Sequence, residues 1–279
     1  MGSVLVGDCR EVLPTLGAGS VQCVVTSPPY YGLRDYGHPD QIGLEPSVDA
    51  YVAEMVAVFR QVRRVLADDG TMFLNIGDSY GSGKQLLGVP WRVAFALQAD
   101  GWVLRSDCIW HKPNPLPESV RDRPTKAHEY VFLLAKRARY FYDSGAVAEP
   151  LVSTRPSGNK SRLVSGRMGG DHGWNLRPSD ERSLPEGGRN KRTVWTIPPQ
   201  PCKEAHFAVM PPALVEPCIL AGSRPGDTVL DPFLGAGTVG LVASRLGREW
   251  VGIEINPEYA AMAERRVRDD APLLAEVAD

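Results

Sequence analysis

Thr228-Val-Leu-Asp231-Pro-Phe233-Leu-Gly235-Ala-Gly237-Thr238-Val-Gly240 is the stretch on which the fold turns. Residues 228–230 read as a short buried strand, and a helical pattern follows the glycines. Gly235, Gly237 and Gly240 satisfy G-x-G-x-x-G, and Glu254 stands 19 positions after Gly235 at the end of the next strand pattern. Glycines let the backbone turn sharply and come close to a ligand, while a following acid can bind ribose hydroxyls. Strand, glycine turn, helix, strand and acid together imply an adenosine-containing cofactor. The spacing alone leaves NAD and S-adenosylmethionine both open. A dinucleotide-binding domain would place its glycine turn early, whereas this one lies near the C-terminus.

Outward from that turn, short β-branched runs at 4–6, 21–26, 71–76, 108–110, 131–134 and 250–253 read as further strands. Helical patterns separate them. Tyr51, Met55, Phe59, Val62 and Leu66 share one face of a helix predicted to start at Ser47 and stop at Gly70. Pro90 opens a second helix ending at Gly101, 212–222 forms a third, and Asn256-Pro257 starts a fourth running to about Val267. Strands alternating with helices predict an α/β fold, a mostly parallel sheet covered on both faces.

Thr26-Ser27-Pro28-Pro29-Tyr30 closes the strand at 21–26, at the sheet edge where ligands of parallel sheets bind. Two prolines remove N–H donors and stiffen the turn, so carbonyls and the Ser27 hydroxyl are left as acceptors beside an aromatic ring. Such a pocket suits an exocyclic amine on a flat base.

The net charge of −2 conceals a segregation: residues 111–203 carry 17 basic and 9 acidic side chains, a balance of +8, against −10 elsewhere. Within it, 153–193 is rich in Gly, Ser and Arg with little apolar periodicity, a long loop of the kind that is usually functional or disordered. No apolar run is long enough to span a bilayer, and no secretory signal is apparent, so a cytoplasmic location without membrane contact is expected. Five scattered cysteines without a CxxC pair support neither a disulfide framework nor a metal site.

With both motifs in place, the chain resembles the β-group S-adenosylmethionine-dependent amino-methyltransferases of DNA, in which the catalytic motif precedes the cofactor motif. Asp231-Pro-Phe233-x-Gly235-x-Gly237-Thr238 is similar to their cofactor motif. Gly7-Asp8-Cys9 looks like the early acidic element near the adenosine. Gly70–Asp78, Trp110–Pro117, Asp122–Glu129 and His206-Phe207-Ala208 look like further shared blocks. The resemblance implies a Rossmann-like methyltransferase sheet in permuted motif order, with 1–150 as catalytic half, 151–195 as target-recognition insert and 196–279 as cofactor half. It implies S-adenosylmethionine held by Asp8, Asp231, Phe233, Gly235, Gly237, Thr238, Glu254, His206 and Phe207. Ser27, Pro28, Pro29 and Tyr30 would be catalytic. Double-stranded DNA would be met by the basic insert, with Arg162, Arg167, Trp174, Asn175, Arg177, Lys191 and Arg192 as candidates. Partners of this kind of enzyme include a second copy and a cognate restriction endonuclease. Serine at position 27 points to cytosine N4, with adenine N6 as the alternative and an NAD-dependent oxidoreductase as the reading from another class. Cys202 is expected to be structural, the target base to flip out onto Tyr30, and the loop 31–46 to close over it.

Overall fold

The computed structural model describes residues 2–35, 37–150, 188–200 and 209–270. Strands β1 (Ser3–Val6), β2 (Val21–Thr26), β3 (Leu66–Ile76), β4 (Val103–His111), β5 (His128–Ala135), β6 (Val194–Thr196), β7 (Thr228–Asp231) and β8 (Glu249–Glu254) join in an eight-stranded sheet ordered β1-β8-β7-β2-β3-β5-β4-β6. β5 runs antiparallel to β3 and β4, and every other neighbouring pair is parallel. The carboxyl ends of β2, β3, β4, β6 and β7 therefore share one edge. β2 and β7 lie side by side, and the chain winds outward from them in opposite directions. That is a topological switch point, where doubly wound sheets bind ligands.

Period-two alternation distributes the core over both faces. Met72, Leu74 and Ile76 of β3 and Phe132 and Leu134 of β5 join one cluster. Phe73, Val131 and Leu133 join the other. Helices α2 (Val48–Val65) and α3 (Val89–Ala99) cover the first face, and α4 (Pro212–Gly222) and α5 (Thr238–Arg245) the second. α1 (Cys9–Val12) is a single turn, and α6 (Pro257–Asp270) packs beside α5. In α2 the Ser47 hydroxyl accepts from the Ala50 amide at 3.1 Å, and Tyr51, Met55, Phe59 and Val62 are buried as their spacing predicts. Each such side chain contributes ~1.5–3 kcal/mol when fully buried.

One expectation needs correcting. α2 stops at Val65, not at Gly70, because Leu66 is already extended (φ −71°, ψ 137°) and pairs with Val21. Gly70 instead lies within β3, where a Cβ would come within 2.9 Å of the Gln22 carbonyl; its role is close approach, not helix termination. β6 was not anticipated: three residues, Val194-Trp195-Thr196, extend the sheet alongside β4 across the expected insert boundary at 195. Among the described residues no helix is long and apolar enough to cross a membrane.

Candidate active site

A cleft of about 350 Å³ opens at the shared carboxyl edge, within the usual range of small-molecule sites. Asp8, Ser27, Pro28, Pro29, Tyr30, Asp231, Phe233, Gly235, Thr238 and Glu254 all line it. Two motifs far apart in the sequence thus face one space. They are also joined directly, since Thr26 Oγ1 at the end of β2 donates to Asp231 Oδ1 at the end of β7 at 2.7 Å.

On the β7–β8 wall the glycine turn leaves β7 with Gly235 at φ 52° and Gly237 at φ 77°, conformations that strain any residue with a Cβ. At Gly237 a Cβ would also lie 2.7 Å from the Ala263 Cβ, so α5 and α6 approach closely there. Asp231 accepts the Phe233 amide at 3.0 Å as well as the Thr26 hydroxyl. Burial pushes its carboxyl up to about 7, the Thr26 and Phe233 hydrogen bonds pull the other way, and the charge of Glu254 adds to the rise. Glu254 accepts the Gly235 amide at 2.8 Å and the Asn256 amide at 2.9 Å; burial raises it too, against those amides. This acid therefore braces the glycine turn from its own lining position. Asp8 caps α1 and is held by Arg10 at 2.8 Å through the backbone amide and by the Arg10 guanidinium. Burial opposes its charge, but Arg10 outweighs burial and keeps the carboxyl below its usual range.

These residues fit an adenosine-containing group. The turn exposes backbone close to the cleft, two carboxylates flank it, and Thr238 Oγ1 is buried without a partner among the described residues although Thr238 lines the cleft.

The opposite wall is a side-chain network. Ser27 Oγ donates to Tyr30 Oη at 3.2 Å, and Tyr30 Oη donates to Glu129 Oε2 at 2.7 Å. Asn75 Nδ2 donates to Tyr30 Oη at 2.8 Å, to Glu129 Oε2 at 2.9 Å and to Ser27 Oγ at 3.4 Å. Lys112 pairs with the other Glu129 oxygen. Burial, reinforced by the Glu129 charge, lifts the Tyr30 phenol well above its ordinary value, so it stays a neutral donor. Tyr51 Oη donates to the Pro29 carbonyl at 2.9 Å and fixes the turn from α2. Gly77 is required beneath Tyr30, since a Cβ there would sit 2.6 Å from its ring.

Asn75, Lys112 and Glu129 were not among the expected site residues. They lie in the blocks 70–78, 110–117 and 122–129, so their sequence signal was present without a role attached to it. Leu33, Arg34, Asp40, Gln41 and Ile42 of the loop 31–46 line the cleft, in keeping with a loop that covers it. Lys191 and Arg192 are not among the cleft-lining residues. Lys191 Nζ stands 5.2 Å from the Trp195 ring, and Arg192 pairs with Glu149 at 2.8 Å. Arg162, Arg167, Trp174, Asn175, Arg177, Cys202, His206 and Phe207 lie outside the described residues.

Permuted motifs meeting at the switch point of this sheet define a methyltransferase of the Rossmann-like class. A family model described as DNA methylase, covering the N6 and N4 enzymes, matches residues 21–265. The Type II methyltransferase M.SmaI of Serratia marcescens is 46% identical over 95% of this chain and 90% of that protein. M.Cfr9I of Citrobacter freundii is 44% identical over 95% and 87%. Among solved structures, TTHA0409 of Thermus thermophilus, complexed with S-adenosyl-L-methionine, is 28% identical with a TM-score of 0.67 over 98% of this chain and 96% of that one. The cytosine-N4-specific PvuII DNA methyltransferase shares the fold, with a TM-score of 0.71 at 23% identity over 99% and 93%. The chain belongs to the N6/N4 DNA methylase family, whose methyl donor is S-adenosylmethionine.

Proposed function

We propose that this DNA methyltransferase modifies the exocyclic N4 amine of a flipped-out cytosine in double-stranded DNA. The observation that carries this reading is the Ser27 hydroxyl just after β2, which lines the cleft and accepts from Asn75 Nδ2. Its proton points to Tyr30, whose own proton points to Glu129, and one lone pair takes the Asn75 Nδ2 hydrogen bond at 3.4 Å, so Ser27 Oγ keeps its other lone pair for an incoming N–H. Asn75 Oδ1, buried and without a partner among the described residues, offers a second acceptor nearby.

The exocyclic amine is conjugated with its ring and is a poor nucleophile. Ser27 Oγ and the Pro28 carbonyl would accept hydrogen bonds from its two N–H groups and draw its lone pair out of the ring plane. S-adenosylmethionine supplies the electrophilic methyl group, held by Asp8, Asp231, Phe233, Gly235, Gly237, Thr238 and Glu254. Orienting the amine by the rigid Pro28-Pro29 turn is an entropic effect, worth at most ~7–11 kcal/mol in ideal intramolecular reactions. Tyr30 offers its ring to the base. A base inside a duplex cannot reach this cleft, hence the flipping. The insert 151–195 would read the target, with its basic side chains on phosphates. The Type II relatives support a restriction–modification setting with a cognate endonuclease.

Tritiated methyl transfer to duplex DNA, followed by nucleoside analysis, tests the reading. N4-methylcytosine is the expected product. N6-methyladenine would move the substrate to the other branch of the family, and ring-methylated cytosine would sink the mechanism.

A further inference from the structure

Extrusion of a base leaves a gap in the stack, and the structure offers a side chain to fill it. We infer that Leu116 enters the duplex as the target base leaves, an inference that rests on the base-flipping reading above. The β4–β5 connection rises from the active-site edge of the sheet, closed at its foot by the Lys112 amide on the Ala127 carbonyl at 2.8 Å. Its first part reads Pro113-Asn114-Pro115-Leu116-Pro117. Leu116 is 80% exposed, more than any other large hydrophobic residue among those described, yet it lines the mouth of the cleft. A scattered exposed leucine needs no explanation. One held between two prolines at the rim of a base pocket does.

The stem of this connection is braced. Lys126 Nζ donates to the Asp78 carbonyl at 2.6 Å, Glu118 accepts Arg123 at 2.6 Å and the Lys126 amide at 3.2 Å, and the Arg123 guanidinium lies 4.1 Å over the Tyr80 ring. Lys84 pairs with Asp122 across the same junction. Prolines fix φ on either side of the leucine, so little freedom remains to be lost on insertion. Leucine is among the apolar side chains that wedge between base steps and offset part of the cost of unstacking. Exposed Arg121 on the same connection would supply positive charge beside the duplex. Leu33, 52% exposed at the same mouth, follows Gly32 and has no flanking proline, which makes it the natural control.

The test uses duplexes containing the target found by sequencing methylated DNA, with 2-aminopurine as the immediate neighbour of the target cytosine, so that unstacking is reported while the N4 amine stays in place. Leu116→Ala should slow methylation of the fully paired duplex about tenfold or more and abolish the fluorescence rise, because unstacking is no longer offset. Placing an abasic site opposite the target should restore the variant to near the wild-type rate, and Leu116→Met should behave as wild type. Stabilisation by S-adenosylhomocysteine should be unchanged in each variant. Equal rates for Leu116→Ala and wild type on paired DNA would overturn the inference, as would an identical deficit on abasic-opposed DNA or the same pattern in Leu33→Ala. A wild-type protein that methylates the duplex without any fluorescence rise would instead overturn base flipping itself.

Discussion

Across the cleft, the wall built from β7, β8 and the glycine turn relies on backbone. Two glycines with positive φ shape it, and Asp231 and Glu254 each accept main-chain amides close in sequence or one strand away. On the facing wall, the tips of β2 and β3 and the foot of the β4–β5 connection contribute side chains, with Ser27, Tyr30, Asn75, Lys112 and Glu129 joined across long sequence separations. A wall of backbone suits a group that every catalytic cycle presents unchanged. A wall of side chains lets a single substitution retune which amine is held. Steric changes should therefore damage the first wall, and hydrogen-bond changes the second.

The largest effect is expected at Gly237. Substitution by Ala combines a strained φ with a clash against α6, at a cost on the order of 3 kcal/mol, and should abolish stabilisation by S-adenosylhomocysteine in a thermal melt. Retained cofactor stabilisation would break the assignment of this wall to the cofactor. Ser27→Ala should do the reverse, lowering kcat by about 10²-fold, the scale seen when one positioned hydrogen-bonding group is removed from a reacting centre, while cofactor stabilisation persists. Loss of cofactor binding in that variant would erase the division between the walls.

Glu129→Gln is the subtler probe of the same side. It removes the charge that pairs with Lys112 and accepts from Tyr30, and should reduce methylation about tenfold through disorder of Ser27 and Tyr30. An unchanged rate, measured alongside an unchanged cofactor melt, would reduce Glu129 to a structural acid.

The smallest effect is in stability against pH. Burial raises Asp231 in the folded state from the ordinary carboxylate range to about 7, so the folded protein holds this proton more tightly than the unfolded chain does. Its contribution is full below the unfolded value and declines as pH rises through about 7. Between about pH 6 and 8 the wild type should lose about 1 kcal/mol relative to Asp231→Asn, whose amide oxygen can still accept from Thr26 and Phe233. Denaturant titrations of both proteins read the difference; parallel pH profiles would mean that Asp231 is not buried as described.

Legibility in the sequence followed the same division. The glycine turn, Asp231 and Glu254 lie within one strand–helix–strand unit, so their spacing announced both fold and site. The Ser27-Pro-Pro-Tyr30 turn was equally local. Asn75 and Glu129 were not read as site residues, because a lone polar residue at a strand end declares its partners only when β3 and β5 are aligned. β6 escaped because three residues are too few to show a period, and its pairing with β4 is purely tertiary. The boundary of α2 was misplaced because Gly70 looks like a helix stop, while its cause is the neighbouring Gln22 carbonyl.

The place of β1 at the edge of the sheet has a consequence for how the molecule comes into being. Its hydrogen-bonded neighbour is β8, so Ser3 to Val6 emerge from the ribosome long before Val251 to Glu254 exist to receive them. Gly7 closes this pairing through the Glu254 carbonyl, immediately before Asp8 enters the cleft. Closing so long a span costs entropy before any contact rewards it, and such non-local parallel pairings form slowly. The nascent chain therefore cannot complete this side of the cleft until β8 has been made. In an in vitro translation reaction, methylation should lag behind the appearance of full-length protein, not track the growing chain.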